Sequence, residues 1–455
     1  MPVSDRYQID MCRGPLMKQI IIFSVPLVLS GILQMLFNAA DLVVVGRYSS
    51  YFDLAAVGAT TALIHLITTA FIGVSIGANV LVARRLGEQN RKTASRAIHT
   101  AVLSSLLIGC FLALLGIGAA RHLLTLLATP AEIMDRAVLY MRIYFAGMPL
   151  IMLYNFGSAI LRAAGDTRRP FLFLAVSGGL NVALNLVFVL FFSWGVAGVA
   201  AATVISQALA ALLVLLVLIK LRDACRVKLQ ILRIEWSSLR EMLWIGVPAG
   251  IQLTCFSFSN LLIQSSVNWF GPEAIAGNMA SMTWEGICFV AAASIAQAAI
   301  SFVSRNYGGR QFARVRRSIR YCAESCALIT VMMCGILMLF PEFLLGLFNE
   351  NREVIAWGMI RFRIALPLLF CCGVEEVFVG SLRGLGYSIG PTVLMIMGIC
   401  VSRIVWIEVV FCRFRQLDVL LLGYPMSWVL VGVCSAVFMA YALKKLPDHN
   451  AFSDN

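Results

Sequence analysis

Charge is scarce in this 455-residue sequence. Asp, Glu, Lys and Arg make up 13% of it, against 60% hydrophobic residues and a mean hydropathy of +0.88. A water-soluble domain is roughly 25% charged, so this chain cannot hide its apolar surface in an aqueous fold, and lipid must be its solvent. Other absences narrow the choice further. No segment alternates with the period of a membrane barrel strand, which leaves an all-helical chain. The polar opening MPVSDRYQIDMCRGPLMK is followed by an apolar run too long for a signal-peptide core, so that run is a retained helix. There is no P-loop, no HExxH and no ATP-binding domain, so any pumping must draw on an ion gradient. The 13 cysteines lie mostly in apolar runs. Neither Cys322 with Cys326 nor Cys371 with Cys372 has His or further Cys at metal-ligand spacing, and they read as packing residues. GVSIG (73–77) fits the G-x-S-x-G pattern of serine hydrolases but lies inside an apolar helix. Gly73 and Gly77 there read as a small-xxx-small helix contact. No cofactor and no enzymatic chemistry are expected.

Twelve apolar runs are present, each about the 20 residues a spanning helix needs. They are 19–45, 54–83, 97–119, 132–161, 171–193, 195–219, 241–268, 273–303, 321–341, 354–381, 391–412 and 418–443. The fifth and sixth are separated only by Ser193, Trp194 and Gly195. The net charge of +13 is distributed by loop. Numbering the N-terminal tail as zero, even-numbered loops and tails carry 26 Lys and Arg, and odd ones carry Arg47, Arg121, Arg136, Arg352, Arg413 and Arg415. By the positive-inside rule both termini are cytoplasmic, in a multi-pass protein of the cell membrane. The basic charge is topology information, and no nucleic-acid partner is implied.

The runs fall into two copies of one unit. LRAAGDTRRP (161–170) matches LRGLGYSIGP (382–391), and ARRLGEQN (83–90) matches VSRNYGGR (303–310), both at an offset of 221. FSVP ending at Pro26 pairs with IGVP ending at Pro248 at 222, and AAVG (55–58) pairs with AIAG (274–277) at 219. Six helices per copy return the chain to its starting side, so both copies have the same orientation. The fold class is therefore an all-α membrane protein of twelve transmembrane helices in two six-helix bundles related by a parallel internal repeat. The expected parts are a cytoplasmic tail 1–18, an N-terminal bundle 19–219, a basic linker 220–240, a C-terminal bundle 241–443 and a tail 444–455. Parallel repeats with a site at their interface are a transporter architecture.

Carboxylates are rare inside these runs, and ionising one in hydrocarbon costs several kcal/mol or more. Asp41 ends a stripe of Ser30, Gln34, Asn38 and Asp41, spaced by four, four and three residues and so on one helical face. Ser177, Asn181 and Asn185 form a second stripe on the fifth helix. Aimed at one spot, the stripes would surround Asp41 with amides able to coordinate Na⁺ or share a proton. Asp41 lies 23 residues beyond Lys18, about 34 Å along an ideal helix, which places it in the outer half of the membrane. A cap near Gly46 or a pair with Arg47 would be its structural alternative. The second copy is not faithful: Asn260 aligns with Asn38, but Ile263 stands where Asp41 would be. It holds instead Glu285, with Asn278 and Met282 on the same face, and adjacent Glu375 and Glu376. Arg361, Arg363 and Arg403 are available to neutralise these acids. Met35, Phe37, Met279, Met282 and Trp284 would suit a permissive substrate cavity.

Together, Pro26 followed by QMLFNAADLVVVG, AAVGAT, GANVLVARRLGEQN, LRAAGDTRRP, LNVALNLVFV, SFVSRNYGGR and LRGLGYSIGP resemble the multidrug and toxic compound extrusion (MATE) family, over roughly residues 15–445. The resemblance implies a monomeric antiporter exporting organic cations or other amphipathic compounds in exchange for H⁺ or Na⁺, through two lobes enclosing a cavity. It places Asp41 at the family's first-helix acid and Asn181 at its fifth-helix asparagine. Asn185 stands where many members have Asp, which leaves the coupling ion open. MTWEGICF resembles a stretch that often carries an acid where Glu285 stands, and no acid lies between Gly246 and Asn268 to match the seventh-helix acid of some members. Two rivals are a flippase for lipid-linked oligosaccharides and a non-transporting receptor or assembly protein. A flippase should show Arg and Lys inside the N-terminal helices, yet the apolar parts of the first three helices hold none and that of the fourth only Arg142.

Overall fold

The computed structural model describes residues 7–221, 225–228, 230 and 232–447. Arg6 and Arg222, two of the basic residues counted above, and most of the 444–455 tail lie outside the described residues. Every regular element among the described residues is helical. The long helices are α1 (Leu16–Tyr48), α2 (Tyr51–Gly87), α3 (Arg91–Leu126), α4 (Ala131–Ala146), α5 (Met148–Ala163), α6 (Arg168–Phe191), α7 (Gly195–Lys220), α8 (Trp236–Phe270), α9 (Pro272–Gly308), α10 (Phe312–Leu339), α11 (Arg352–Leu385), α12 (Ile389–Phe414) and α13 (Leu417–Lys444). Eleven are long and apolar enough to cross a membrane, and α4 with α5 makes a twelfth span bent by 46°. All twelve apolar runs of the sequence are therefore spans. Large apolar side chains such as Leu114, Phe191 and Leu339 stay exposed, as expected where hydrocarbon replaces water.

The repeat is visible in the backbone. Gly165 and Gly386, equivalent at 221 residues, both have positive φ (94° and 99°), as do Gln89 and Arg310 (55° and 53°). Ser193 and Arg415, at 222, repeat the pattern (53° and 43°). Pro26 and Pro248 both lie inside long helices. The break between α4 and α5 at Gly147 has its counterpart in a tight turn at Leu366–Leu368 within α11. The turn between the fifth and sixth spans is made by positive φ at Ser193 and Gly195.

Contacts divide the chain into two compact units. The first holds Val25–Gly250 and the stretch up to Asp10; the second holds Met11–Ser24 and the described chain from Ile251 onward. These bounds differ from 19–219 and 241–443, because the openings of α1 and α8 are each grouped with the other copy. The change falls beside Pro26 and Pro248, each of which lacks the N–H of a regular helix hydrogen bond. In the first unit α5 packs on α2, α3 and α7; in the second, α11 packs on α9, α10 and α13.

Gly73 and Gly77 behave as a small-residue contact within the first unit. A Cβ on Gly73 would lie 2.3 Å from the Gly250 backbone, and one on Gly77 would lie 2.1 Å from the Met242 carbonyl oxygen. α2 and the opening of α8 thus touch backbone to backbone, as small residues allow in membranes. Gly77→Leu is expected to destabilise the protein by about 3 kcal/mol, the upper end for overpacking. Thermal unfolding in detergent checks it against Gly58→Leu, at a position with open space around it.

Candidate functional site

The long apolar run of α1 makes it a helix, and period 3.6 puts Ser30, Gln34, Asn38 and Asp41 on one side. Their fates differ. Ser30 donates to the Pro26 carbonyl at 2.7 Å, a local bond to its own helix. Gln34 and Asn38 are exposed and make no side-chain hydrogen bond among the described residues. Asp41, one turn on, is half-buried. α6 is drawn against it by a missing side chain: a Cβ on Gly178 would overlap the Phe37 ring, 1.7 Å from its nearest carbon. Phe37 is therefore a packing residue of the α1–α6 contact, and Met35 beside it is half-buried.

That contact delivers the α6 stripe to Asp41. Asn185 Nδ2 donates to Asp41 Oδ1 at 2.5 Å and approaches Asn181 Oδ1 at 3.4 Å. Asn181 Nδ2 donates in turn to Thr203 Oγ1 on α7 at 3.4 Å, and Thr203 donates to the Val199 carbonyl at 3.0 Å. Each link fixes the next: Thr203 has given its proton to the backbone, so it accepts from Asn181, which leaves the Asn181 oxygen facing Asn185. Asn181 and Asn185 are buried, and Asn185 Oδ1 has no partner among the described residues. Tyr140 and Tyr144, a stacked pair on α4, lie within the field of Asp41. No ion pair holds Asp41 among the described residues, and Arg47 is exposed. Asp41 is an acid among amides and phenols without a cation.

Thr203, Tyr140 and Tyr144 were not legible as site residues. The two tyrosines share a helix face at four-residue spacing, a pattern that packing alone also produces.

The second-copy residues form a different centre. Arg361, fully buried on α11, donates to Glu285 on α9 at 2.8 Å and to Asn278 Oδ1 at 3.0 Å. Asn278 continues to Gln264 at 3.1 Å and to the Met282 sulfur at 3.4 Å. Tyr424 on α13 meets two guanidiniums, Arg361 at 4.5 Å and Arg403 at 4.4 Å from its ring centre. Arg403 donates to Asn260 Oδ1 and Ser427 Oγ, each at 3.0 Å. Glu375 is completely buried, Glu376 is half-buried and Arg363 is exposed. Glu285 is thus an ion-pair partner, not a free acid. Met279 is exposed, whereas the Trp284 indole is tied to the Leu344 carbonyl at 3.1 Å and stacked edge-on with Phe348.

The MatE family model matches residues 26–187 and 248–407, one match in each copy. The chain belongs to the MATE family. Among curated relatives, it is 28% identical to the probable multidrug resistance protein YoeA of Bacillus subtilis, covering 90% of each chain. It is 27% identical to the probable multidrug resistance protein NorM of Thermotoga maritima, over 94% of this chain and 91% of the relative. Among solved structures, an outward-facing multidrug resistance MATE transporter of the MOP superfamily superposes with a TM-score of 0.90 at 21% identity, covering 97% and 99% of the two chains. A MOP superfamily transporter from Pyrococcus furiosus, described as having a binding pocket of reversed polarity, gives 0.89 at 21%, covering 96% and 99%. This is a family of multidrug efflux transporters, not of enzymes, and the twelve spans are those of a multi-pass membrane protein.

Proposed function

We propose that this MATE protein is a secondary antiporter, acting as a monomer with both termini in the cytoplasm, that exports organic cations or other amphipathic compounds in exchange for H⁺ or Na⁺ by alternating access. The observation that carries the reading is Asp41: a half-buried carboxylate with an amide donor, no cation, and the unpaired Asn185 oxygen beside it. The chemistry follows from that pair. Ionised, Asp41 accepts from Asn185 Nδ2. When Asp41 binds a proton, a turn of the Asn185 amide presents Oδ1 to the new O–H. Na⁺ would instead take oxygens from Asp41, Asn185 and Asn181. Either cation changes which way the α6 stripe is held, and a site that binds it more tightly in one state than the other couples the gradient to the cycle.

The test uses purified protein in proteoliposomes with ethidium as the transported probe and an imposed pH or Na⁺ gradient. Transport is expected under one gradient and to stop when that gradient is collapsed. Absence of gradient-dependent movement under both, with this probe and with tetraphenylphosphonium, would leave the non-transporting reading standing.

A further inference from the structure

The chain between α7 and α8 is not a free connection. Past the end of α7, Val227 N donates to the Leu218 carbonyl at 2.9 Å. Lys228 N then donates to His99 Nε2, and Glu235 N to Thr100 Oγ1, each at 3.0 Å. Arg96 adds an ion pair to Glu235 at 3.1 Å. Arg96, His99 and Thr100 all lie in the opening turns of α3, so one short stretch of helix holds the connection.

His99 is the one buried histidine among the described residues, 3% exposed, whereas His65 and His122 are exposed. Its two ring nitrogens meet backbone groups of opposite and fixed character. Nδ1 lies 2.7 Å from the Ser95 carbonyl, which only accepts, and Nε2 lies 3.0 Å from the Lys228 N–H, which only donates. Ser95 Oγ stands further off, 3.4 Å from Nδ1. The ring therefore carries its proton on Nδ1 and a lone pair on Nε2, an assignment the two backbone partners dictate. A hydroxyl or amide partner could exchange roles with a charged ring. These two cannot.

A second proton would go to Nε2, where it faces the Lys228 hydrogen. Two donors would then oppose each other in a nearly closed place, at the cost of an unsatisfied buried polar group. No free carboxylate stands ready to compensate. The charged side chains on the surrounding elements are Lys92 and Arg96 on α3, Arg84 and Arg85 on α2, Arg162 on α5 and Lys220 on α7. The connection adds Arg226, Lys228, Arg233 and Glu235, with Cys225 as its thiol, and α8 adds Glu241. Glu235 is taken by Arg96 and Ser238, and Glu241 by Arg84 and Arg85. The second copy has no such device. At the 221-residue offset Arg320 stands in place of His99, exposed and paired with Glu324 on its own helix.

We propose that His99 is a proton-sensitive latch: uncharged, it docks the chain between α7 and α8 on α3, and charged, it releases that chain. Histidine is the side chain that ordinarily changes charge between pH 5 and 8. On the topology proposed above this corner faces the cytoplasm, so the latch reads cytoplasmic acidity. Its bearing on transport rests on the antiport reading, while the latch itself does not. An undocked connection loosens the anchorage of the opening of α8 on α2 and α3, and turnover falls as that face is acidified.

Hydrogen–deuterium exchange of the purified full-length protein reads the latch without any substrate. Protection of the Val227, Lys228 and Glu235 amides, corrected for the intrinsic pH dependence of exchange, is expected to fall roughly tenfold or more between about pH 7.5 and 5.5, the scale of one orphaned buried donor. His99→Gln keeps an oxygen to accept from Lys228 and takes up no proton, so its protection stays high at both pH values. Lys228→Pro deletes the opposing donor without touching α3, and there the pH step disappears because nothing is left to collide with the charged ring. Wild-type protection that ignores pH would overturn the latch. So would a step as large in His99→Gln as in the wild type or, should that variant fail to fold, one that survives in Lys228→Pro. In proteoliposomes moving ethidium under a fixed gradient, acidifying the face that bears the connection is expected to slow the wild type several-fold more than His99→Gln. Equal slowing of the two, with the exchange step present, would overturn the part of the latch in transport. If the wild type moves no ethidium under either gradient, the antiport reading fails and the exchange measurement still decides the latch.

Discussion

Asp41→Asn is expected to reduce gradient-driven ethidium transport to the level of empty liposomes while the protein still purifies as a folded monodisperse species. The substitution is nearly isosteric and keeps a carbonyl oxygen to accept the 2.5 Å bond from Asn185. The chain from Asn185 through Asn181 to Thr203 therefore has no reason to rearrange. What disappears is the only ionisable group of that cluster on α1 and α6, and with it the difference between a loaded and an unloaded site. A ligand that binds two states equally shifts nothing between them. The variant should still bind ethidium, measured by fluorescence anisotropy, so that binding and coupling separate. Full gradient-driven transport by Asp41→Asn would remove this residue from the mechanism.

The scaffold was legible because its signals are long. Twelve runs of about 20 apolar residues and four repeat matches survive any local ambiguity, and even the three-residue turn at Ser193–Gly195 stands between two spans. The fourth span shows the limit. Hydropathy sees continuous apolar character through Gly147, but not the 46° bend there. The π-helical segments of α12, Ile396–Val401 and Trp406–Phe411, are invisible for the same reason, since periodicity is read on an assumed 3.6-residue helix.

At the site, spacing was enough to bring the α1 and α6 stripes to one face each, and Asp41 does meet Asn185. Spacing could not say that Ser30 would be spent on its own backbone or that Gln34 and Asn38 would stay exposed. Those outcomes depend on how far the stripe wraps before α6 reaches it, which the Gly178–Phe37 contact decides. In the second copy the sequence offered three acids and three arginines without a pairing. Helix packing supplies it, because Arg361 and Glu285 lie on α11 and α9, which pack together.

That pairing carries the second large effect. Glu285→Ala is expected to destabilise the protein by about 3–5 kcal/mol, the usual consequence of leaving one member of a buried ion pair alone. Arg361 is 2% exposed and cannot reach water to compensate, and its remaining contacts are the neutral Asn278 oxygen and the Tyr424 ring. Removing both charges is a different matter. A Glu285→Leu, Arg361→Met double variant replaces the pair with apolar volume, and such replacements are often neutral or even stabilising. Thermal unfolding of the two single variants and the double variant forms a cycle whose coupling isolates the pair from its surroundings. A double variant close to the wild type in stability, beside two damaged singles, would establish Glu285 as a structural counter-ion. If it also transports ethidium, the burden of coupling in the second copy falls away from Glu285. A Glu285→Ala variant as stable as the wild type would mean that Arg361 finds another anion.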